Sequence, residues 1–291
     1  MNYAMPTDCN ELEWLTDNAI DAHCSASSGG KFSLGFGVWY TVTVSHLLSE
    51  TNHVKGSTYS GKILPLLGAL SALDQYGYCY ELDPPIFPAA FASKSSIIKV
   101  VHNFLNIPVN SPDSDALYAL RNSLVHQSSL ISVSTLTIPK HHWFEIDNSI
   151  ENIFLHPANA WDGIYNTRTD SNKTIVNASK VVELVFSLID ILKKTHQKKK
   201  LRIALKGGLA ELLTSYVSFE FQTSLHDSYI SYLGGQLYTA CGSSVATAND
   251  AKKVLSSKPR AHLQEAARWL VLQPGGLSLR QINSIYPSLL P

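Results

Sequence analysis

The chain has 291 residues, of which 45% are apolar, and it carries 23 basic and 23 acidic side chains. This composition provides enough apolar material for a substantial core and excludes a disordered or fibrous protein. Because the formal net charge is zero, no overall field attracts nucleic acid, and any contact with RNA must rest on a local patch.

The cysteines and the N-terminal segment indicate a cytosolic protein. The four cysteines, Cys9, Cys24, Cys79 and Cys241, show no paired spacing, which is typical of reduced thiols. The first residues contain no basic region followed by an apolar run, and no stretch of about 18 apolar residues predicts a membrane-spanning helix. We therefore expect a soluble cytoplasmic protein that is not exported and has no membrane partner.

The first half of the chain contains four segments in which apolar side chains recur at the spacing of an α-helix. These predicted helices are residues 36–47, 62–76, 95–105 and 116–127. The proline-rich segment 81–88 separates the second helix from the third, because proline disfavours helix at its own position and at the preceding one. Asp113 or Ser114 is the predicted N-cap of the fourth helix.

The second half of the chain begins with a change of character. Residues 132–168 contain short stretches rich in β-branched and aromatic side chains, which predict two or three short strands as an insertion. The clearest helical period of the chain follows at 173–196 and closes with the basic run KKTHQKKKLR. Further helices are predicted at 203–219 and 262–272. The sequence as a whole therefore predicts a mainly α protein.

The stretch ALYALRNSLVHQ in the fourth predicted helix carries side chains suited to chemistry on phosphate groups. On a helical wheel one stripe of leucines faces the core, and it consists of Leu117, Leu120 and Leu124. Asn122 and His126 are four residues apart and fall together on the opposite face, among small or polar neighbours. Arg121 flanks the leucine stripe and can reach the same face. The helix is therefore expected to present these three polar residues away from its own core.

The run from Leu120 to His126 resembles the signature of HEPN domains, in which an arginine, usually followed by a polar residue, precedes a histidine by a few positions. The resemblance covers residues 32–200 and implies a helical bundle that pairs so that the motifs of both copies meet in one cleft. Many such domains are endoribonucleases of toxin–antitoxin, abortive-infection and other anti-phage systems. The resemblance thus implies a homodimer that acts on RNA, with an antitoxin or regulatory protein as a further partner.

Cleavage of RNA without a metal uses the 2′-hydroxyl as nucleophile, so the site must transfer protons and neutralise charge on the phosphorane. Histidine suits proton transfer because its ordinary pKa is about 6.5, which makes His126 the candidate acid or base. Arg121 suits charge neutralisation, since a guanidinium stays protonated and can bind two phosphate oxygens. Asn122 would orient the imidazole or hold a phosphate oxygen. Because one helix supplies one histidine, a second protomer would supply the other proton-transfer group.

The basic run at the end of the long predicted helix offers a second set of candidates. Its candidate RNA contacts are Lys193, Lys194, Lys198, Lys199 and Lys200. Cations at the C-terminus of a helix also complement its dipole, and this structural interpretation is the favoured one. No histidine or cysteine pair has the spacing of a metal site, and we expect neither a metal nor another cofactor.

Two interpretations of the motif stay open. In one, Arg121, Asn122 and His126 form the catalytic site of a metal-independent endoribonuclease. In the other, Arg121 forms a salt bridge and His126 packs at a helix interface, in a non-catalytic HEPN-like module that binds RNA or protein or in a structural or regulatory dimer. Both predict a mainly α, HEPN-like helical bundle. The predicted parts are an N-terminal segment (1–31), a helical domain (32–217) with the β insertion at about 132–168, and a C-terminal helical extension (218–291).

Overall fold

The computed structural model describes residues 7–25, 32–35, 38–57, 61–85, 94–134, 140–221, 223–287 and 289–290. Within these ranges the protein is mainly α-helical, as the sequence predicts, with eleven α-helices and nine short strands. The helices are α1 (Cys9–His23), α2 (Thr43–Val54), α3 (Ile63–Cys79), α4 (Ser96–Leu105), α5 (Pro112–Gln127), α6 (Ala178–Gln197), α7 (Gly208–Ser215), α8 (Leu225–Gly242), α9 (Val245–Ser256), α10 (Arg260–Leu272) and α11 (Leu279–Ile285). The strands are β1 (Phe32–Gly35), β2 (Val38–Val42), β3 (Tyr80–Leu82), β4 (Ile131–Ser132), β5 (His142–Ile146), β6 (Phe154–Leu155), β7 (Thr174–Val176), β8 (Leu201–Ile203) and β9 (Val217–Phe221).

The chain divides into two compact units, each of which is discontinuous in sequence. The larger unit consists of Ala19–Gly30 and Val42–Val217, and the smaller unit consists of Met1–Asn18, Lys31–Thr41 and Ser218–Pro291. The smaller unit therefore combines both ends of the chain, whereas the predicted organisation keeps 1–31 and 218–291 apart. The motif helix α5 belongs to the larger unit.

Helix α3 is the centre of the larger unit. It packs against α2, α4, α5 and α6, and most of its side chains are buried because its sequence, ILPLLGALSALDQYGYC, is almost entirely apolar. Asp74 is the one charged residue in this helix. Because a charged group is rarely buried without a partner, a carboxylate at this position requires a cation or hydrogen-bond donors nearby.

The motif helix α5 has a well-defined cap at each end. Ser111 is the N-cap and accepts a hydrogen bond from the backbone N–H of Ser114 at 3.2 Å, with Pro112 in the first turn. The predicted N-cap at Asp113 or Ser114 is therefore wrong, because the helix already includes Pro112, whose missing backbone N–H costs no hydrogen bond in the first turn. At the other end Ser128 adopts the left-handed conformation, with φ of 51°, and terminates the helix.

Strands β4, β5 and β6 of the predicted insertion join β7, which follows the insertion in sequence, in a four-stranded sheet of order β4-β5-β7-β6. Strands β5 and β7 are parallel, and the other two neighbouring pairs are antiparallel. Because side chains alternate along a strand, His142 and Phe144 lie on one face of β5, and the register places Phe144 beside Thr174 of β7. Residues 135–139 of the predicted insertion lie outside the described residues.

Two predicted helices begin with strands instead. Segment 36–47 contains strand β2 before helix α2, because the β-branched and aromatic sequence VWYTV favours an extended chain that pairs with β1; residues 36 and 37 lie outside the described ranges. Segment 173–196 contains strand β7 before helix α6. Helix α6 begins where the side chain of Asn177 accepts a hydrogen bond from the backbone N–H of Lys180, and this cap separates it from the strand.

The predicted helix at 203–219 is also wrong. This segment contains the end of β8, the short helix α7 and the start of β9. Gly208 has φ of 58°, a conformation that interrupts a regular helix and that glycine adopts without steric cost. Strand β8 pairs with β3, at the end of α3, so its extended conformation depends on a partner distant in sequence.

In the smaller unit, α8 packs against α9, α10 and α11. His226 of α8 lies between two carboxylates: Nδ1 is 2.6 Å from Oε1 of Glu11, and Nε2 is 3.0 Å from Oε1 of Glu265. The hydrogen bond to Glu11, and next that to Glu265, raise the pKa of His226 to about 9. The imidazole is therefore protonated at neutral pH and provides a cation for the buried carboxylate of Glu11.

Candidate active site

Helix α5 places the motif residues on the side opposite its buried stripe. Leu117, Leu120 and Leu124 are buried, as the helical wheel predicts. Arg121 and Asn122 are half-buried, and His126, one turn further along, is exposed. The leucines hold the helix against the core, so the polar residues are positioned by a rigid element.

The guanidinium of Arg121 brings the three predicted site residues together. Its Nη1 donates a hydrogen bond to Oδ1 of Asn122 at 2.9 Å and lies 2.6 Å from Nε2 of His126. Its Nη2 forms an ion pair with Asp74 of α3. The side chains of Arg121 and Asp74 are 20% and 25% exposed, so this pair lies at the margin of the interior. Four polar side chains from two helices thus form one cluster.

The contact with Arg121 occupies one ring nitrogen of His126. A guanidinium has donors only, so Nε2 of His126 is the acceptor of this hydrogen bond. The basic lone pair is therefore occupied by Arg121. His126 can accept a proton from another molecule only after Nη1 of Arg121 turns to a different acceptor, and a phosphate oxygen is such an acceptor.

Asp74 is the residue of this cluster that the sequence interpretation missed. The signal for it is its position as the single charge in an otherwise apolar helix, which predicts that a cation from another element lies beside it. The sequence does not identify that cation, because Asp74 and Arg121 are 47 positions apart. Their ion pair is the salt bridge that the structural interpretation of Arg121 predicts.

A groove of about 330 Å³ runs along α5 beside Asn122. Its lining includes Asp115, Tyr118, Asn122, Ser132, Val133 and Lys140, and we refer to it as the Asn122 groove. Lys140 forms an ion pair with Asp115, so the cation in this groove already has a carboxylate partner. The groove would lead an extended ligand past Asn122. Its lining would bind that ligand through hydrogen bonds more than through net positive charge.

The five candidate lysines lie at the end of α6 and in the turn that follows. Lys193 is half-buried and the other four are exposed. Lys198 is the C-cap of α6, and Lys199 has φ of 54°, so this part of the run forms the tight turn into β8. The structure therefore places the lysines at the end of α6, whereas the contacts of the motif residues join α5 to α3.

Comparisons of the chain with models of protein families, with curated proteins and with solved structures found no match. Among the residues that the structure describes, no group of three or more His, Cys, Asp or Glu side chains is arranged to hold a metal ion. None of the helices in these ranges combines the length and the apolar character needed to cross a bilayer. The cluster of Asp74, Arg121, Asn122 and His126 is therefore the feature that bears most directly on function.

Proposed function

We propose that this protein is a metal-independent endoribonuclease of the HEPN type, acting in phage defence, in a toxin–antitoxin pair or in a stress response. The observation that supports the proposal is the convergence of Arg121, Asn122 and His126 at the surface of one helix, with Asp74 beneath the guanidinium. These residue types are the ones that attack by a 2′-hydroxyl requires: a proton-transfer group, a fixed cation and an amide that orients them.

The first step of the proposed reaction is an exchange of partners at Arg121. Asp74 holds Nη2, so the guanidinium stays in place while Nη1 turns from Nε2 of His126 to an oxygen of the scissile phosphate. The lone pair of His126 becomes free and takes the proton of the 2′-hydroxyl, whose oxygen attacks phosphorus. Arg121 then stabilises the phosphorane, and the 5′-oxygen leaves with a proton from a second group.

The second proton-transfer group is proposed to come from another copy of the chain. Each motif has one histidine, and His126 is exposed at the end of α5, where a partner can approach it. We therefore expect a homodimer in which two motif helices face each other, with RNA as the substrate and an antitoxin or regulatory protein controlling access. Light scattering on the purified protein tests this, and a strict monomer would remove the composite site.

The decisive experiment is RNA cleavage in EDTA by the wild type and by His126→Ala. The wild type should leave a 2′,3′-cyclic phosphate and should not cut a substrate with a 2′-deoxy or 2′-methoxy group at the cleavage site. His126→Ala should lower the rate on the order of 100- to 10,000-fold, whereas His53→Ala, which alters an exposed histidine of α2, should not. Equal cleavage by the wild type and His126→Ala, or cleavage only with magnesium, would refute the proposal.

A non-catalytic function in RNA or protein binding is the second candidate. The observation that favours it is the closed arrangement of the cluster, in which Arg121 contacts Asp74, Asn122 and His126 and the lone pair of His126 is occupied. Such a cluster also serves as a structural connection between α3 and α5. RNA binding without cleavage, unchanged by His126→Ala, would support this function over the first.

A further inference from the structure

A second cavity lies beside the motif helix, between its N-terminal end and the four-stranded sheet. It has a volume of about 380 Å³, within the range typical of small-molecule sites. Its lining includes Asp115, Lys140, His142, His156, Pro157 and Thr174, and we refer to it as the histidine cavity. It lies wholly within the larger unit and contains none of the proposed catalytic residues.

Three histidines line the cavity, and two of them, His142 and His156, are fixed by a neighbouring side chain through one ring nitrogen. Nε2 of His156 lies 2.7 Å from Oδ1 of Asp113, and Nδ1 of His142 lies 3.1 Å from Oγ1 of the buried Thr174. Within the described part of the chain, neither histidine forms a hydrogen bond through its other ring nitrogen. Each ring can therefore hold a ligand in a defined direction without first leaving a partner.

The charges of the histidine cavity do not favour an anion. The single lysine in its lining is paired with Asp115, and a second carboxylate, that of Asp113, lies behind His156. Burial, and next the proximity of His156, lower the pKa of His142 to about 4, so His142 is neutral at neutral pH. The cavity thus offers the neutral ring of His142 and a carboxylate acceptor, which suit an uncharged ligand with donors and acceptors of its own.

The remaining walls suit a flat ring. Pro112, Pro157 and Ala160 contribute apolar surface to the lining, and apolar walls with a few directed polar groups are typical of sites for small ring systems. Lys140 contacts Oδ2 of Asp115, so Oδ1 of this carboxylate remains to accept a hydrogen bond from a ligand that carries a donor such as an amino group.

The histidine cavity adjoins the Asn122 groove, because Asp115 and Lys140 belong to the lining of both. We propose that the histidine cavity binds a nucleobase with an exocyclic amino group, as in cytosine or adenine, from the RNA strand that occupies the Asn122 groove. This inference rests on the proposed function in taking RNA as the ligand. It gives the protein a preference for one nucleotide near the cleaved bond, recognised by Asp115, His142 and His156.

Binding of single nucleosides tests the inference without any cleavage. Titration of the full-length protein with cytidine or adenosine should shift the imidazole NMR signals of His142 and His156. Uridine and inosine, which carry an oxo group in place of the amino group, should bind about tenfold more weakly because they offer no donor to Oδ1 of Asp115. Asp115→Asn should abolish this preference, since an amide both donates and accepts.

Two matched variants distinguish the cavity from the surrounding surface. Ala160→Trp places a large side chain in the cavity lining and should abolish nucleoside binding. Ala158→Trp changes an exposed residue that is not part of this lining, so it should leave nucleoside binding unchanged. Equal binding by both variants, or histidine signals that respond to inorganic phosphate but to no nucleoside, would overturn the inference. Nucleoside binding without RNA cleavage would refute the nuclease proposal alone, and cleavage without nucleoside binding would refute the cavity inference alone.

Discussion

Replacing Asp74 tests whether the ion pair with Arg121 connects α3 to α5. The two side chains are 20% and 25% exposed, which places the pair between a surface salt bridge and a buried one. Removing one partner costs about 0–1 kcal/mol at the surface and about 3–5 kcal/mol in the interior. We therefore expect Asp74→Ala to lower the free energy of unfolding by about 2 kcal/mol. Asp74→Asn retains an acceptor for Nη2 and should cost about half as much.

The assay is urea unfolding monitored by circular dichroism, and an exposed ion pair serves as the control. The side chains of Lys180 and Glu183 on α6 are 42% and 56% exposed, so Glu183→Ala should cost less than about 0.5 kcal/mol. In a double-mutant cycle, Asp74→Ala and Arg121→Ala should not be additive, because each removes the same contact. If Asp74→Ala costs no more than Glu183→Ala, the ion pair does not stabilise the bundle and the argument that Asp74 holds Arg121 fails.

Two further predictions concern charges away from the motif. His226 has a pKa of about 9 in the folded protein, against an ordinary value of 6.5. Its protonated ring therefore stabilises the fold fully below about pH 6.5, and this stabilisation is lost as the pH rises through about 9. The urea midpoint of the wild type should fall across that interval and that of Glu11→Gln should fall less, so an equal decline in both would contradict the assignment. Replacing three of the five lysines at the end of α6 with alanine should lower stability by about 0.3–1 kcal/mol and leave RNA affinity unchanged; weaker binding with a flatter salt dependence would show instead that they contact RNA.

The helices that the sequence predicts well are those whose burial follows one continuous period. Helices α3, α4 and α5 lie within a few residues of the predicted segments. In α4 and α5 the apolar spacing records the face that packs on the core, whereas α3 is buried on most sides and is identified by its almost entirely apolar sequence. The leucine stripe of α5, and hence the direction in which Asn122 and His126 point, follows from the same rule.

The same reasoning does not identify short strands. Strands β2, β7 and β8 contain three to five residues each, too few for an alternating pattern to be distinguished from part of a helical period. What makes them extended is pairing with a partner elsewhere in the chain, as β8 pairs with β3 across more than 100 positions. The contact between Asp74 and Arg121 was not predicted for the same reason, since a period within one helix contains no information about the helix that packs against it.

The closed arrangement of the motif cluster predicts that a phosphodiester competes with His126 for Arg121. In the free protein Nη1 of Arg121 contacts Nε2 of His126, while Nη2 forms the ion pair with Asp74. Because a guanidinium binds phosphate oxygens strongly, a bound phosphate should take Nη1 and leave the imidazole without this contact. A 2′-deoxy oligonucleotide, which binds without reacting, should therefore shift the imidazole NMR signals of His126, and Arg121→Ala should weaken its binding. If the oligonucleotide binds and the signals of His126 do not move, the exchange of partners at Arg121 does not occur.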